Sequence, residues 1–291
     1  MEVFKITGFM ILLIISVMAD GLPKRGLAAN DDILITGFAG SSVNWLYNWD
    51  SNTTNKQQFT EYIPMLWGNT SDHTGAWEAH ASSWIAAGSK HLLAFNEPEN
   101  PGQANLDPTA AADAYRQYMQ PFAGQARLGA PAVSNDGRQW MIQFLDKCSD
   151  CTVDFIPIHW YNPASLLEDF KNFVSDMCEI AGDRPVWITE FQPQGSADEK
   201  TDFLTDAIAW LDNEACVERY AYFGTSDGDH ELLDNGGPPL SAIGTIYAFT
   251  PFGGTKRTFL GSRVLLLPAE RGLQGVRSVL DATASDDCGW D

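Results

Sequence analysis

Between Val43 and Phe223, short apolar runs alternate with longer amphipathic segments. Short continuous apolar runs are typical of strands buried on both faces, whereas apolar residues three and four positions apart are typical of helices. The apolar runs predict strands at Val43–Trp49, Tyr62–Trp67, Leu92–Asn96, Arg127–Pro131, Phe155–Trp160, Pro185–Thr189 and Arg219–Phe223. Helical spacing is found at Thr109–Met119, Gln139–Leu145, Leu166–Ile180 and Lys200–Trp210. Strands that alternate with helices predict a parallel sheet wrapped by helices.

These predicted strands are one fewer than a closed eight-stranded barrel needs. We predict that Ile33–Ile35 supplies the missing strand. The chain has 291 residues, which suits one barrel of about 250 residues. The predicted fold class is therefore α/β, a (β/α)8 TIM-type barrel that forms a single catalytic domain at residues 31–248.

The two ends of the chain depart from this pattern. Lys5 precedes an apolar stretch from Phe9 to Met18, about half of the roughly 20 residues that span a bilayer. Residues 1–21 are therefore predicted to be a cleaved signal peptide, with a signal anchor as the alternative. The basic pair Lys24 and Arg25 predicts a second processing point within a short linker at 22–30. Residues 249–291 are predicted to form a poorly ordered tail.

Charge and glycosylation patterns restrict the partners. The formal net charge of −20 argues against nucleic acid and anionic membrane surfaces, because these partners need a basic patch. Asn52 and Asn69 each begin an acceptor pattern for N-glycosylation, which fits a secreted protein. We expect a secreted monomer, in the extracellular space or cell wall, with no nucleic acid partner and no membrane partner after signal cleavage.

The chain has five cysteines. In an oxidising compartment Cys148–Cys151 would close a tight local loop, and Cys178–Cys216 would join adjacent helices. The spacing of the first pair also occurs in redox and zinc sites, but no second such pair and no paired histidines accompany it. Cys288 would remain unpaired.

Two predicted strands lead directly into glutamates. The run that begins at Leu92 continues into Asn96 and Glu97, and the run that begins at Pro185 continues into Glu190. The carboxyl ends of barrel strands form the catalytic face. Retaining glycoside hydrolysis needs one carboxylic acid to protonate the leaving oxygen and one carboxylate, about 5–5.5 Å away, to attack the sugar. We therefore predict a sugar-cleaving enzyme, with Glu97 as acid/base and Glu190 as nucleophile.

Several polar residues are candidates to support these glutamates. Asn96 could hold a substrate hydroxyl beside the scissile bond. His159 and Tyr161, at the end of the strand before Glu190, are predicted to bind substrate and are candidates to hydrogen-bond the nucleophile. The two carboxyl groups need different environments, so we expect Glu97 to be partly protonated through burial and its charged partner. Glu190 is expected to stay ionised through hydrogen bonds.

Aromatic residues provide a further signal, because sugar rings present apolar C–H faces that pack on aromatic rings. Trp49, Trp67, Trp160 and Phe223 lie at the ends of predicted strands and are predicted to bind substrate. Most of the ten tryptophans are expected to serve ordinary packing. A neutral polysaccharide also suits the acidic composition.

Other chemistries fit poorly. The sequence has no glycine-rich phosphate loop, no His-Glu-x-x-His zinc motif and no Gly-x-Ser-x-Gly nucleophile elbow. Asp227, Asp229, His230 and Glu231 cluster after the last strand, and this cluster is either a metal site or, as we expect, a solvated loop.

Seven segments together resemble glycoside hydrolase family 128, which includes fungal secreted endo-β-1,3-glucanases. The resemblance spans roughly Lys24 to Tyr247, and the Asn-Glu-Pro and Thr-Glu-Phe elements are its most specific parts. The segments are Lys24–Ala28, Trp45–Trp49, Pro64–Gly68, Leu93–Glu99, Asp154–Tyr161, Trp187–Phe191 and Arg219–Gly224.

The resemblance implies a barrel of the large clan whose acid/base follows strand four and whose nucleophile follows strand seven, positions that Glu97 and Glu190 match. It implies retaining endo-hydrolysis of the β-1,3-glucan of fungal walls, a polysaccharide or oligosaccharide substrate, and no metal or organic cofactor. Two alternatives stay open: a non-catalytic glucan-binding wall protein, and a glycosidase of another β-linkage.

Overall fold

The computed structural model describes residues 23–30, 32–54, 61–225 and 231–251. Eight parallel strands line the interior of this part of the chain. Their bounds are β1 Arg25–Ala29, β2 Val43–Tyr47, β3 Glu61–Tyr62, β4 His91–Leu92, β5 Arg127–Leu128, β6 Ile156–Pro163, β7 Val186–Gln194 and β8 Val217–Thr225.

The strands close into the predicted barrel. Six of them pair in the order β3-β2-β1-β8-β7-β6, and β4 pairs with β5. Single bridges join these two sheets, Met65 to Leu93 on one side and Val133 to Ile158 on the other. The order around the barrel therefore follows the order along the chain, as in a (β/α)8 fold.

The helices surround the strands. They are α1 Ser71–Thr74, α2 Trp77–Ala87, α3 Pro108–Tyr118, α4 Arg138–Lys147, α5 Leu167–Ala181, α6 Ala197–Asn213 and α7 Ala242–Phe249. The four predicted helices correspond to α3, α4, α5 and α6. The sequence reading missed the others. In α2, which includes Trp77, Trp84 and Ile85, apolar residues extend around much of the helix instead of forming one stripe.

The first strand is not where we predicted it. Residues 33–35 belong to a 3₁₀ helix, Asp32–Phe38, and β1 instead spans Arg25–Ala29, between β2 and β8. The prediction of a linker at 22–30 is therefore wrong for these residues. Arg25 is 1% exposed. Its guanidinium forms an ion pair with Asp212 at 2.9 Å and donates a hydrogen bond to the Tyr220 hydroxyl at 2.8 Å, and these partners compensate the buried charge.

This burial also argues against processing at the basic pair in the folded protein. Arg25 additionally donates to the Tyr247 carbonyl at 3.0 Å, at the end of α7. Cleavage after Arg25 would detach its side chain from the barrel and leave Asp212, 5% exposed, as an uncompensated buried charge. The predicted processing point is therefore inaccessible once β1 has paired.

Buried side chains form two clusters. The smaller one fills the inside of the barrel and includes Trp45, Phe155 and Trp187. The rings of Phe155 and Trp187 stack with their centroids 4.0 Å apart. The larger cluster lies between the strands and the helices. Glycine is required at position 26, where an added Cβ would lie 2.0 Å from the Trp45 ring.

Charged residues close the amino-terminal end of the barrel. Glu61 lies 2.8 Å from His91 Nδ1 and 2.8 Å from Arg219 Nη2, and the Arg219 guanidinium lies 4.5 Å from the Trp187 ring centroid. Burial alone would raise the pKa of Glu61, but the hydrogen bond with His91 and the charge of Arg219 outweigh it and lower the pKa to about 2.

Replacement of Glu61 by Gln should lower the free energy of unfolding at pH 7 by about 3 kcal/mol. The carboxyl group titrates near pH 4.5 when unfolded and near 2 when folded. Its charge therefore stabilises the fold fully above about pH 4.5, and this contribution is lost as the pH falls toward 2. Urea unfolding of both proteins across this pH range measures the difference.

The matched control is Glu168→Gln, which removes an ion pair to Lys171 from a carboxylate whose side chain is 78% exposed. This change should leave the unfolding curve unaltered within error. A stability loss in Glu61→Gln that does not diminish at low pH would show that the ion pair is not its source.

The structure confirms both disulfides, Cys148–Cys151 and Cys178–Cys216. The second one differs in detail from the prediction, since it joins α5 to the turn before β8 rather than to a helix. The predicted signal peptide, most of the predicted tail and Cys288 lie outside the described residues. Within the described ranges, no helix has the length and apolar character of a membrane span.

Candidate active site

Glu97 is positioned by the turn that follows β4. Its backbone N–H donates to the Ala132 carbonyl at 2.8 Å, and its carbonyl accepts from Asn100 N–H at 3.0 Å. Its φ is +40°, a conformation that costs a non-glycine residue on the order of 1–3 kcal/mol and is concentrated at functional sites. The side chain is buried at the carboxyl end of the barrel, as predicted.

Glu190 directly follows an irregularity in β7. Ile158 of β6 pairs with Ile188, but the next residue, His159, pairs with Glu190. Thr189 is therefore an extra residue in β7, a β-bulge of the kind that redirects side chains next to active sites. The strand continues to Gln194, four residues beyond Glu190, so the predicted strand end at Thr189 is too early.

The imidazole of His159 lies between the two glutamates. Its Nδ1 is 2.8 Å from Glu97 Oε1. Its Nε2 is 3.0 Å from Thr189 Oγ1 and 3.4 Å from Glu190 Oε1. The ring is 0% exposed, so its direct partners are these protein groups and its predicted contact with substrate is not supported.

Three donors surround the Glu190 carboxylate. The Tyr47 hydroxyl donates to Oε1 at 3.0 Å, and the Trp49 indole N–H donates to the same oxygen at 2.7 Å. The Tyr161 hydroxyl donates to Oε2. Hydrogen bonds to a carboxylate favour its ionised form, so the environment expected for a nucleophile is present.

The environment of Glu97 differs from our expectation. Burial raises the pKa of Glu97, but the hydrogen bond and charge of His159, together with a bond from Asn100 at 3.3 Å, outweigh burial and lower the pKa below its usual value. Burial lowers the pKa of His159, yet the neighbouring charges of Glu190 and Glu97 raise it overall. The two shifts therefore favour an ionised Glu97 beside a protonated His159 in the substrate-free site.

The predicted aromatic residues fall into two groups. Trp49, Phe223 and Tyr161 form one cluster, with ring centroids 5.8 Å apart between Trp49 and Phe223 and 5.7 Å apart between Tyr161 and Phe223. Trp67 is half-buried, and its ring centroid lies 4.9 Å from that of His73. These four residues lie near the mouth of the barrel, and their contacts with substrate stay predictions.

Trp160 is a wrong prediction. Its side chain is 0% exposed. Its ring stacks on Phe203, with the centroids 5.3 Å apart, and makes an edge contact with Phe170, with the centroids 5.0 Å apart. Only its indole N–H is directed outward, to Asp169 at 3.1 Å. Because both ring faces are covered by the helical layer, Trp160 has no face to offer a sugar.

Asn96 is 4% exposed and lies next to Glu97. Its Nδ2 donates to Gln103 Oε1 at 3.2 Å, while its Oδ1 has no hydrogen-bond partner within the described residues. A buried amide oxygen without a partner carries a free-energy cost that a ligand hydroxyl would remove. Its predicted role in holding a substrate hydroxyl is therefore retained as a prediction.

The sequence reading missed Tyr47, Thr189 and Asn100. A signal for Tyr47 was present, because it alternates with Trp45 and Trp49 along β2, and residues two apart share a face of a strand. The Tyr47 side chain is completely buried, and burial and the charge of Glu190 raise its pKa well above the usual value. It therefore acts as a permanent donor.

The same site is the only group of three or more metal-ligating side chains found in the described ranges. One ligand atom from each of Glu97, His159 and Glu190 lies within 4.8 Å of the others. The same atoms contact one another directly, His159 Nδ1 with Glu97 at 2.8 Å and His159 Nε2 with Glu190 at 3.4 Å. Most of the acidic cluster after β8 lies outside the described residues, but its last member, Glu231, pairs with Lys200.

Comparison with known proteins identifies the family of this chain. A protein-family model described as glycosyl hydrolase catalytic core matches residues 26–247. The chain is 44% identical to a curdlan-specific exo-β-1,3-glucanase of family GH128, subgroup III, from Blastomyces gilchristii, solved in complex with glucose. The match covers 78% of this chain and 98% of that chain, with a TM-score of 0.73. This chain belongs to glycoside hydrolase family 128.

Two other proteins are similar over a comparable share of this chain. An endo-β-1,3-glucanase of family GH128, subgroup I, from Amycolatopsis mediterranei, in complex with laminaritriose, is 30% identical over 77% of this chain and 98% of that chain, with a TM-score of 0.66. Alkali-sensitive linkage protein 1 of Schizosaccharomyces pombe is 33% identical over 77% of this chain. The chain spans 44% of the length of that curated relative.

Proposed function

We propose that this member of family 128 is a secreted retaining β-1,3-glucanase. The observation that carries the proposal is the buried arrangement of Glu97, His159 and Glu190, in which an oxygen of each carboxylate lies within 4.8 Å of the other and of the imidazole. This short separation supports a retaining mechanism, because inverting enzymes hold their carboxyl groups about 6.5–9.5 Å apart to admit a water.

In the first step, Glu190 attacks the anomeric carbon of the sugar. Hydrogen bonds from Tyr47, Trp49 and Tyr161 fix the direction of its carboxylate oxygens. The product of this step is a glycosyl-enzyme ester on Glu190.

Glu97 protonates the leaving oxygen in the same step. Because His159 Nδ1 lies 2.8 Å from Glu97 Oε1, a proton on the imidazole can pass to the carboxylate without solvent. A bound glucan removes water from the site, and low polarity favours the neutral pair of carboxylic acid and imidazole over the ion pair. Substrate binding therefore places Glu97 in its acid form.

In the second step, Glu97 accepts a proton from the incoming water, which releases the sugar from Glu190 with its original anomeric configuration. Both steps use the same pair of glutamates on one face of the barrel. Two successive inversions at the anomeric carbon account for net retention.

Support for β-1,3-glucan as the substrate comes from the relatives. The Blastomyces and Amycolatopsis proteins are both described as β-1,3-glucanases. The aromatic cluster at the mouth of this barrel supplies apolar faces of the kind that pack against sugar rings. Support for secretion comes from the two disulfides, which persist in oxidising compartments.

Two modes of cleavage are candidates. Our first candidate is endo cleavage, which the motif resemblance implies and the Amycolatopsis relative shares. Exo cleavage is the second, favoured by the higher identity with the Blastomyces enzyme.

The test is analysis of the earliest soluble products that the full chain, produced in a secreting eukaryotic host, releases from laminarin. A β-1,4-glucan serves as the matched substrate. We expect a series of short oligosaccharides from laminarin alone for endo action, and a single small product from the first minutes for exo action. Laminarin that is bound but not cleaved would contradict the enzyme and favour a glucan-binding protein, and equal cleavage of the β-1,4-glucan would contradict the linkage.

A further inference from the structure

The segment that follows β2 leaves the barrel interior and packs on α2. The Ser51 hydroxyl lies 2.8 Å from His80 Nδ1, and the Trp84 indole N–H donates to Asn52 Oδ1 at 2.9 Å. His80 and Trp84 are four residues apart on α2, so they share one face of the helix. Residues 51 and 52 therefore run along this face, in the helical layer outside the barrel.

Asn52 begins one of the two acceptor patterns for N-glycosylation, Asn52-Thr53-Thr54. The pattern requires the amide of its first residue and the hydroxyl of its third. Asn52 and Thr54 are both exposed, whereas Thr53 is 8% exposed. The middle residue therefore anchors the segment, while the two required side chains are accessible.

The side-chain amide of Asn52 is held at its oxygen and open at its nitrogen. Its Oδ1 accepts from the Trp84 indole, and its main-chain carbonyl accepts from Asn48 Nδ2 at 3.0 Å. In the part of the chain that the structure describes, Asn52 Nδ2 has no hydrogen-bond partner. This nitrogen is the atom that N-glycosylation modifies. The amide is thus fixed in orientation while its nitrogen stays available.

The geometry of an N-glycosidic bond directs the first sugar toward Trp84. Attachment of a sugar converts the side chain of Asn52 into a secondary amide, which strongly prefers the trans form. In this form Cβ and the anomeric carbon lie on opposite sides of the C–N bond, so the sugar lies on the side of Oδ1. Because Oδ1 is hydrogen-bonded to the indole of Trp84, the sugar is placed beside that ring.

Trp84 presents an aromatic surface at this point. Its ring packs on Tyr62, with the centroids 4.5 Å apart and the planes tilted by 50°. Tyr62 is 5% exposed, but Trp84 is only partly buried. The apolar C–H face of a sugar packs well on an aromatic ring, and cover of the ring removes apolar surface from water. A sugar beside Trp84 would therefore stabilise the folded state.

We propose that Asn52 carries an N-linked glycan whose first N-acetylglucosamine packs on Trp84 and stabilises the fold. The co-reactant is an oligosaccharide linked to a lipid pyrophosphate in the secretory compartment. Asn52 Nδ2 forms the bond to the anomeric carbon and loses one proton, and the bond from that carbon to the pyrophosphate oxygen breaks with its electron pair. This inference rests on the secretion in the proposed function and is independent of the catalytic chemistry.

The experiment uses the full chain from a secreting eukaryotic host. Mass spectrometry of its peptides measures the occupancy of Asn52, which we expect to be glycosylated in most molecules. Thermal unfolding is then compared for intact protein, for protein trimmed to one N-acetylglucosamine by an endoglycosidase, and for protein freed of glycans by an amidase. The midpoint should be unaltered by trimming and should fall by about 2 °C on complete removal.

Variants separate the glycan from the rest of the chain. Thr54→Ala destroys the acceptor pattern but keeps Asn52 and Trp84, and its midpoint should also fall by about 2 °C. Thr54→Ser preserves the pattern and should leave the midpoint unaltered. Asn69→Gln, which removes the other acceptor pattern, should have no effect either. In a Trp84→Leu background, Thr54→Ala should no longer lower the midpoint, because the ring that the sugar covers is gone.

The outcomes distinguish this inference from the proposed function. Secreted protein that cleaves laminarin but is unmodified at Asn52 would overturn the glycan site and leave the glucanase intact. A midpoint that falls already on trimming, or stays unaltered on complete removal, would overturn the contact with Trp84. An equal loss in the Trp84→Leu background would overturn it as well. Protein that is glycosylated at Asn52 but does not cleave laminarin would support the glycan site and contradict the enzyme.

Discussion

Replacement of Glu190 by Gln should lower kcat on laminarin about 10⁴-fold or more, a loss of about 5.5 kcal/mol of transition-state stabilisation. An amide cannot form the glycosyl ester, and no other described carboxylate shares its three donors. Binding of laminarin should survive, because the change keeps the size of the side chain. Turnover and binding, measured on the same preparation, test this prediction.

A second variant identifies the chemical role of this residue. Glu190→Gly opens a space in which azide can attack the sugar from the face that the carboxylate normally uses. A single displacement inverts the anomeric carbon, so azide should restore turnover and yield an α-glycosyl azide. A β-azide, or normal turnover without azide, would contradict the assignment of Glu190 as nucleophile.

Replacement of Glu97 by Gly should slow hydrolysis of laminarin about 10³-fold, the scale expected for loss of general acid–base catalysis. Glycine adopts the positive φ of this position without strain, so the variant should fold. The loss should be much smaller in the first step with an aryl glycoside, whose leaving group needs no proton. A burst of released phenol followed by slow turnover is the expected time course.

Azide again distinguishes the roles. In Glu97→Gly it should attack the glycosyl-enzyme, accelerate turnover of the aryl substrate and give a β-glycosyl azide, the opposite configuration to that expected from Glu190→Gly. Equal losses on laminarin and on the aryl glycoside in both steps would contradict an acid role for Glu97.

The barrel itself could be predicted from the sequence because most of its strands are short apolar runs separated by helical patterns. The first strand, β1, could not be predicted in this way. Arg25 begins it, and a charged residue beside a lysine reads as a protease site. Its burial depends on Asp212, which follows it by 187 residues, and on carbonyls at the end of α7. A local pattern contains no information about such partners.

The location of Glu97 and Glu190 at the carboxyl end of the barrel could also be predicted, but their geometry could not. Glu97 was identified from the strand before it, while its positive φ comes from backbone bonds to Ala132 and Asn100. Partial protonation of Glu97 was predicted from burial and its charged partner. The structure adds His159, whose hydrogen bond and charge lower the pKa of Glu97 instead.

Trp160 shows how a continuous apolar run can mislead. His159 and Tyr161 both reach Glu190 from inside the barrel, so strand alternation places Trp160 on the opposite face, toward the helices. In the sequence, the run from Phe155 to Trp160 is apolar on both faces and hides this alternation. The inward face of this strand can be recognised only once His159 and Tyr161 are known to contact Glu190.

The extra residue in β7 limits how this active site could be transplanted. A designer who grafts Glu97, His159, Tyr161 and Glu190 onto a barrel with regular strands would keep Glu190 opposite His159, because these two residues are paired. The graft would omit Thr189, whose hydroxyl lies 3.0 Å from His159 Nε2. A copy of the four side chains alone would therefore leave the imidazole without its hydroxyl partner, and one additional residue in β7 restores it.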